Sequence, residues 1–321
     1  MATPSLERAS LLSLLPEASV GVVEAIEPIR AGLSGAGVYA VKASRGAFVL
    51  RVQERELDAD YFAQQLRVLE RASAAGVAPA IVHVDATARA VVSVSIAGLP
   101  LAAALAEPST RSAVLGSVVG ALRKLHGLDT SGVALRDPLP YTRAAWQACR
   151  ERPGFPAWAA ELAPELDDLA AMLEADPRRV VSHNDINPGN FIWDGARAWL
   201  VDWEVAGLGH PHYDLAALAV FLRLDDETAF ALAAGHDGAP LDEQARSTFR
   251  ALRRLVGLLA GLTFLGLVGD LRSRSAPTLN DAPTLADCYA ALSSGKLSVQ
   301  SEQFQLAMGL ALLALGCGRT T

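Results

Sequence analysis

The chain has 321 residues, of which 51% are hydrophobic and 20% are charged, and its formal net charge is −7 at pH 7. This length suits two lobes or one large domain, and the apolar fraction is ample for a packed core. Binding to a nucleic-acid backbone requires a concentrated positive face, and the sequence has no cluster of Lys and Arg. The composition therefore argues against nucleic acid as a partner.

Cysteine usage and hydropathy exclude further classes. The three cysteines lie far apart in the sequence, which predicts neither a disulfide framework nor a Cys-x-x-Cys metal site. No basic segment leads into an apolar one at the N-terminus, so we expect no secretory signal and a cytoplasmic protein. The apolar runs 255–269 and 306–316 are shorter than the roughly 20 residues of a membrane-spanning helix. We therefore expect no membrane partner and interpret both runs as buried helices; the glycines of the first indicate either close helix packing or a pocket wall.

The first part of the chain predicts strands around one helix. Four short β-favouring segments form two candidate hairpins, 38–43 with 47–52 and 80–84 with 91–96. Segment 58–75 has apolar side chains at helical spacing and stops at Gly76, as an amphipathic helix does. An antiparallel sheet with one packed helix is the expected assembly.

The composition changes after residue 96. Segment 101–128 and most of 214–315 are rich in Ala and Leu, which predicts helices, and segment 180–214 interrupts this helical half. The connector near residue 96 is short, which predicts two lobes in contact with a ligand-binding cleft between them. We therefore predict an α+β fold with an N-terminal domain 1–96 and a C-terminal domain 97–321.

The segment that interrupts the helices contains two apolar, β-favouring triplets, Phe191-Ile192-Trp193 and Trp199-Leu200-Val201. Asp194-Gly195 opens a turn between the triplets, which predicts a hairpin. In the expected register Phe191 faces Val201 and Trp193 faces Trp199, so that the two tryptophans form a core pair.

Polar side chains surround this hairpin. The expected register places Asn190 opposite Asp202, and one amide oxygen with one carboxylate predicts a Mg²⁺ (or Mn²⁺) site completed by water and phosphate oxygens. Asp185 lies earlier, in a loop that Pro188 and Gly189 keep from becoming a helix. A carboxylate there is suited to accept a proton from an incoming hydroxyl, which together with a metal is most of what phosphoryl transfer needs.

The same residues resemble a known family. His183-x-Asp185-x-x-x-x-Asn190 followed by Asp202 resembles the catalytic loop and metal-binding aspartate of the kinase-like phosphotransferases, the aminoglycoside phosphotransferase and choline/ethanolamine kinase superfamily. Three segments are most similar to the bacterial choline kinase and thiamine kinase branch: 183–190, 202–204 and 213–216. The resemblance implies a bilobal, protein-kinase-like fold, with an ATP-binding N-terminal lobe of antiparallel sheet and one main helix. It also implies a mostly helical C-terminal lobe with a short catalytic hairpin, and transfer of phosphate from ATP to a small-molecule alcohol.

The resemblance assigns roles to these side chains. Asp185 is expected to be the catalytic base, Asn190 and Asp202 the metal ligands, and His183 a brace for the catalytic loop. Asp214 by itself reads as the N-cap of a helix, whereas in the family it is a structural aspartate that holds the catalytic loop. We expect a structural role for Asp214.

Two neighbours of Asp202 have open roles. Glu204 either supports the metal site or faces a cationic substrate, and Trp203 either lines the active site or packs in the core. The carboxylates of Asp185, Asp202 and Glu204 suit a cationic acceptor such as choline, ethanolamine, thiamine or an aminosugar.

A second candidate metal site is weaker. His210 and His212 flank Pro211 and suggest a pair of metal ligands. Because no third ligand lies near them in the sequence, we interpret both histidines as loop residues.

The nucleotide is expected at the N-terminal sheet. Ser34, Gly35 and Gly37 belong to a small-residue turn whose backbone N–H groups can approach phosphates closely. The resemblance implies that Arg51, one hairpin later, contacts the ATP phosphates, and that the strand carrying Ser95 meets the adenine.

One residue departs from the family pattern. The helix 58–75 is expected to offer a glutamate to Arg51, and the favoured register places Gln65 there. Either the register differs or another group positions Arg51, which keeps its charge without a partner. The missing pair supports an alternative function, a pseudokinase that binds nucleotide without turnover.

Overall fold

The computed structural model describes residues 8–29, 37–53, 58–155, 159–160, 162–174, 176–269 and 279–319. The chain groups into two compact units, one formed by Met1–Ala134 with Pro188–Gly207 and the other by Leu135–Asn187 with Leu208–Thr321. The segment of the predicted hairpin thus groups with the N-terminal part of the chain. The predicted division into an N-terminal domain 1–96 and a C-terminal domain 97–321 stays a prediction.

The described residues form helices and short strands, which are numbered here in chain order. The helices are α1 Arg8–Ser13, α2 Glu17–Val20, α3 Ala59–Ala74, α4 Leu101–Ala106, α5 Arg111–His126, α6 Pro138–Arg150, α7 Leu162–Glu174, α8 Tyr213–Phe221, α9 Asp226–Asp237, α10 Glu243–Leu267, α11 Leu285–Ser293 and α12 Glu302–Gly316. The strands are β1 Val23–Pro28, β2 Gly37–Ala43, β3 Gly46–Val52, β4 Ile81–Asp85, β5 Ala90–Val94, β6 Leu99–Pro100, β7 Val180–Ser182, β8 Phe191–Trp193, β9 Ala198–Leu200 and β10 Gly207–Gly209. They form sheets with the orders β1-β2-β3-β5-β4, β6-β8-β9 and β10-β7.

The five-stranded sheet of the first unit is antiparallel throughout, and both predicted hairpins, β2–β3 and β4–β5, are confirmed. Successive residues of a strand point to opposite faces, so alternate apolar side chains share one buried face. This face packs against leucines in and just after α1. The cluster includes Leu11, Leu14, Leu15, Tyr39, Val41, Phe48, Leu50 and Val92.

Helix α3 is the predicted amphipathic helix of the first unit. Asp58 caps its N-terminus by accepting the backbone N–H of Asp60 at 3.2 Å. Its apolar face buries Phe62 and Val68. After the last turn Gly76 takes a φ of 67°, a left-handed conformation that glycine adopts without strain.

The second unit is mostly helical, and the apolar runs near residues 255–269 and 306–316 lie in α10 and α12 as predicted. These two helices approach each other at glycines. A Cβ atom at Gly261 would lie 2.9 Å from the carbonyl oxygen of Gly309, and one at Gly257 would lie 2.7 Å from that of Leu312. Close helix packing therefore accounts for Gly257 and Gly261, whereas a Cβ atom at Gly266 would meet nothing within 4 Å. Within the parts of the chain that the structure describes, no helix is long and apolar enough to cross a membrane.

Candidate active site

The ribbon of β8 and β9 forms as predicted, but its register is shifted by one residue. Phe191 pairs with Leu200, Ile192 with Trp199 and Trp193 with Ala198. The predicted pairing of Phe191 with Val201 and the predicted pair of tryptophans are therefore wrong.

The turn between the two strands explains the shift. The carboxylate of Asp194 accepts the backbone N–H groups of Ala196 and Arg197, each at 2.8 Å, and the indole N–H of Trp199 at 2.7 Å. These bonds close the turn early, so that strand pairing begins at Ala198. Trp199 lies against the guanidinium of Arg197, which is 3.6 Å from its ring centroid.

Asn190 and Asp202 both lie at the open end of the ribbon, but they are not directly opposite. The carbonyl of Asn190 accepts the N–H of Val201 at 3.0 Å, so the predicted opposition of Asn190 and Asp202 is wrong by one position. Asn190 is buried at the end of a 3₁₀ turn. Asp202 has a φ of 66°, a conformation that costs a non-glycine residue about 1–2 kcal/mol and recurs at functional sites.

Arg51, on β3, contacts two carboxylates that follow the ribbon. Its Nη1 donates to Asp202 Oδ1 at 2.8 Å and its Nη2 donates to Glu204 Oε1. Burial alone would lower the pKa of Arg51, but attraction to Asp202 and then to Glu204, with the hydrogen bonds to both, raises it overall. The first unit thus brings the predicted phosphate-binding cation and a predicted metal ligand into one cluster.

Helix α3 holds the backbone of Glu204. Gln65 donates its Nε2–H to the Glu204 carbonyl, to which the Tyr61 hydroxyl also donates at 3.0 Å, and Gln65 Oε1 accepts from Gln53. Other carboxylates therefore position Arg51, which is the second of the two explanations for the missing glutamate. The sequence interpretation missed Tyr61 and Gln53; the available signal was the i, i+4 spacing of Tyr61 and Gln65 on one face of α3.

In the second unit, Asp214 holds the backbone of the segment that was predicted to be the catalytic loop. Its fully buried carboxylate accepts the N–H of His183 at 2.8 Å and that of Asn184 at 2.9 Å. Asn184 has a φ of 63°. The expected structural role of Asp214 is confirmed, whereas the N-cap interpretation is wrong, because α8 begins at Tyr213 and His212 occupies its N-cap.

Asp185 follows this braced backbone with an exposed side chain. The amide of Asn187 donates to Asp185 Oδ1 at 3.4 Å. Burial raises the pKa of the Tyr213 hydroxyl far above its usual range, and the nearby charges of Asp214 and Asp185 raise it further. Asp185 belongs to the second unit and the predicted metal ligands to the first, so that their joint role stays a prediction.

A comparison with protein families identifies the chain. Residues 25–252, more than two thirds of the sequence, match the model of the Phosphotransferase enzyme family. The chain belongs to this family. No curated protein sequence matches this phosphotransferase-family chain.

Solved structures share the fold of this phosphotransferase-family chain. A choline/ethanolamine kinase family protein from Mesorhizobium loti has a TM-score of 0.66 at 23% identity, covering 94% of this chain and 97% of that chain. Choline kinase LicA from Streptococcus pneumoniae has a TM-score of 0.65 at 15% identity, covering 96% and 97%. The aminoglycoside phosphotransferase APH(3'')-Id from Streptomyces rimosus, solved with ADP and streptomycin, has a TM-score of 0.54 at 21% identity, covering 78% and 99%. The predicted α+β class, with an N-terminal antiparallel sheet and a helical C-terminal part, is confirmed.

The remaining predicted nucleotide contacts of this phosphotransferase-family chain are only partly described. Ser34 and Gly35 lie outside the described residues, and Gly37 begins β2. The backbone N–H of Ser95 donates to the Ala47 carbonyl at 2.9 Å, which continues the pairing of β5 with β3. Any hydrogen bond from this strand to adenine must therefore come from the neighbours of Ser95 or from other atoms of that residue.

Trp203 is 6% exposed, and its indole N–H donates to the carbonyl of Leu200 at 3.1 Å. These contacts are those of a core residue. Its predicted substrate contact, like that of Glu204, stays a prediction.

The histidines that were interpreted as loop residues are buried and paired. His210 contacts Asp176 at 3.1 Å, while His212 and His236 each contact Asp237 at 2.8 Å. Burial lowers the pKa of His210 to about 4, against the attraction of Asp176. Over the described residues, no three or more His, Cys, Asp or Glu side chains are arranged to hold a metal ion.

Proposed function

We propose that this chain transfers the γ-phosphoryl group of ATP to a hydroxyl of a small molecule. The observation that carries the proposal is the contact of Arg51 with Asp202 and Glu204. It joins a cation suited to phosphate oxygens to a carboxylate suited to a divalent metal, and phosphoryl transfer depends on such groups to offset charge. Membership of the phosphotransferase family and the ADP bound to the S. rimosus relative support ATP as the donor.

Mg²⁺ (or Mn²⁺) is the metal that the donor set fits. Asn190 offers an amide oxygen and Asp202 a carboxylate at the same end of the ribbon, and Mg²⁺ prefers a few hard oxygen ligands completed by water and phosphates. One cation facing two carboxylates also leaves the cluster with negative charge to attract a divalent ion. When bound, the ion would neutralise charge on the nucleotide phosphates.

Asp185 is the proposed catalytic base. It would accept the proton of the acceptor hydroxyl as the hydroxyl oxygen bonds to the γ-phosphorus and the bond from that phosphorus to the bridging oxygen of ADP breaks. The exposed carboxylate suits this role. The two hydrogen bonds that Asp214 accepts from the backbone just before Asp185 favour a fixed position for Asp185. His183, whose side chain is fully buried, would brace the loop rather than react.

The acceptor is proposed to be a small, cationic alcohol. Choline kinase LicA and the streptomycin-bound relative share the fold, which supports amino alcohols and aminosugars as the first compounds to test. Arg51 already offsets part of the charge of Asp202 and Glu204, so Asp185 is the carboxylate that we propose attracts a cationic acceptor.

A pseudokinase is the alternative function. Its support was the missing glutamate of α3, and that support weakens because Asp202 and Glu204 provide carboxylates for Arg51. A pseudokinase would bind nucleotide and leave every acceptor unphosphorylated.

An acceptor screen tests the proposed function. The purified chain is incubated with Mg²⁺–ATP and, one at a time, choline, ethanolamine, thiamine, homoserine, an aminoglycoside and methylthioribose, while ADP release is followed. We expect at least one acceptor to raise ADP release above the acceptor-free rate, to appear phosphorylated by mass spectrometry and to lose both effects in EDTA. Nucleotide binding without phosphorylation of any acceptor would favour the pseudokinase.

A further inference from the structure

The contacts around Glu204 point to a residue that the family pattern does not assign. We infer that Glu204 positions Arg51 for the nucleotide phosphates, in place of the missing helix glutamate, and that Tyr61 and Gln65 hold Glu204 in place. This inference rests on the proposed function, because it assumes that Arg51 contacts the phosphates.

The guanidinium of Arg51 is fixed at two points. Nη1 donates to Asp202 and Nη2 to Glu204, so the planar group is oriented as well as neutralised. The three side chains are between 21% and 31% exposed, which places the pair where charge-assisted bonds are only partly screened. If Asp202 also binds a metal ion, Glu204 is the carboxylate that stays bonded to Arg51.

Glu204 is in turn held through its backbone. Its carbonyl accepts from Tyr61 and from Gln65, which lie one helical turn apart on α3. Gln65 also accepts from Gln53, which directly follows β3. The contacts form a ring from Arg51 through Glu204, Gln65 and Gln53 back to β3. Helix α3 therefore acts on Arg51 through Glu204.

This ring explains why a glutamine occupies position 65. Gln65 donates to the Glu204 carbonyl and accepts from Gln53, and an amide can do both whereas an ionised carboxylate can only accept. A glutamate at position 65 would lose the donated bond and place negative charge beside a carbonyl oxygen. The ring therefore predicts that Gln65→Glu weakens the site, whereas a direct helix–Arg51 pair predicts that it strengthens the site.

The test measures ADP affinity by isothermal titration calorimetry in EDTA, so that no metal or turnover is involved. We expect Glu204→Gln to weaken ADP binding about tenfold, because a charge-assisted bond that orients Arg51 is lost. Glu204→Asp keeps the charge and should recover part of this loss, and Gln65→Glu should weaken binding about threefold, since it loses one neutral bond. Glu24→Gln, which breaks an exposed ion pair with Lys42 in the same sheet, is the matched control and should bind as the wild type does.

A double-mutant cycle separates positioning from a general effect on folding. If Glu204 acts through Arg51, Glu204→Gln should have no further effect on ADP affinity when Arg51 is already alanine. With the active enzyme, Glu204→Gln should raise KM for ATP and leave KM for the acceptor unchanged.

Three outcomes would overturn the inference: wild-type ADP affinity in Glu204→Gln, additive effects in the cycle, or tighter binding in Gln65→Glu. Failure of the proposed function looks different, because the wild type would then phosphorylate no acceptor while ADP affinity still reports on Glu204.

Discussion

Two residues with left-handed backbone, Asn184 and Asp202, are held by different physical means. Asn184 belongs to the second unit, where the fully buried carboxylate of Asp214 accepts its N–H and that of His183. Asp202 belongs to the first unit, where its own carboxylate forms an ion pair with Arg51 at a half-buried position. The first arrangement is a permanent part of the fold, and the second is a set of charges that can exchange partners with a ligand.

The difference follows from burial. Removal of a buried acceptor leaves backbone donors without partners, and each such donor costs about 1–3 kcal/mol. A partly exposed ion pair is screened by water and salt and contributes about 1 kcal/mol or less to stability. We therefore expect substitutions at Asp214 to act on folding and substitutions at Arg51 to act mainly on nucleotide binding.

The largest expected effect is that of Asp214→Ala. It leaves the N–H groups of His183 and Asn184 without their acceptor, and should lower the free energy of unfolding by about 4 kcal/mol. Urea denaturation followed by circular dichroism measures this change, with Asp168→Ala on the exposed face of α7 as the control. A loss below about 1 kcal/mol would mean that Asp214 is dispensable for the fold.

A buried histidine of the second unit should make the free energy of unfolding depend on pH. The pKa of His210 is lowered from 6.5 to about 4, so between these pH values the unfolded chain binds a proton that the folded chain does not. The free energy of unfolding should therefore fall by about 3 kcal/mol as the pH drops from 6.5 to 4. In His210→Gln this part of the pH dependence of urea denaturation should disappear; an unchanged pH profile would contradict the assignment.

The smallest expected effect on stability is that of Arg51→Gln. Loss of the pairs with Asp202 and Glu204 should lower the free energy of unfolding by about 1 kcal/mol at low salt and by less in concentrated NaCl. Urea denaturation at two salt concentrations measures the difference. A salt-independent loss as large as that of Asp214→Ala would erase the distinction between the two regions.

Local patterns predicted much of the fold. The β2–β3 and β4–β5 hairpins and α3 follow from apolar periodicity and turn residues, which act over a few neighbouring positions. The ribbon was predicted, but its register was not, because Asp194 closes the turn through its own side chain. The Asp214 bonds and the partners of Arg51 join residues distant in sequence, and such contacts depend on tertiary packing.

The residue types of the candidate site were visible in the sequence, but the contacts that position them were not. In the sequence, Gln65 stands where the family pattern expects a glutamate. The structure shows Gln65 hydrogen-bonded to Gln53 and to the Glu204 carbonyl. A residue that breaks a family pattern can thus mark the place where another residue has taken over the contact.

The most direct test of the account is the rate of phosphate transfer from Mg²⁺–ATP to the best acceptor by Asp185→Asn. Loss of a catalytic base should reduce kcat by at least about 100-fold. Affinity for Mg²⁺–ATP should stay at the wild-type value, and Asp168→Asn on the exposed face of α7 should react as the wild type does. A transfer rate in Asp185→Asn equal to that of the wild type would contradict the proposed phosphotransferase mechanism.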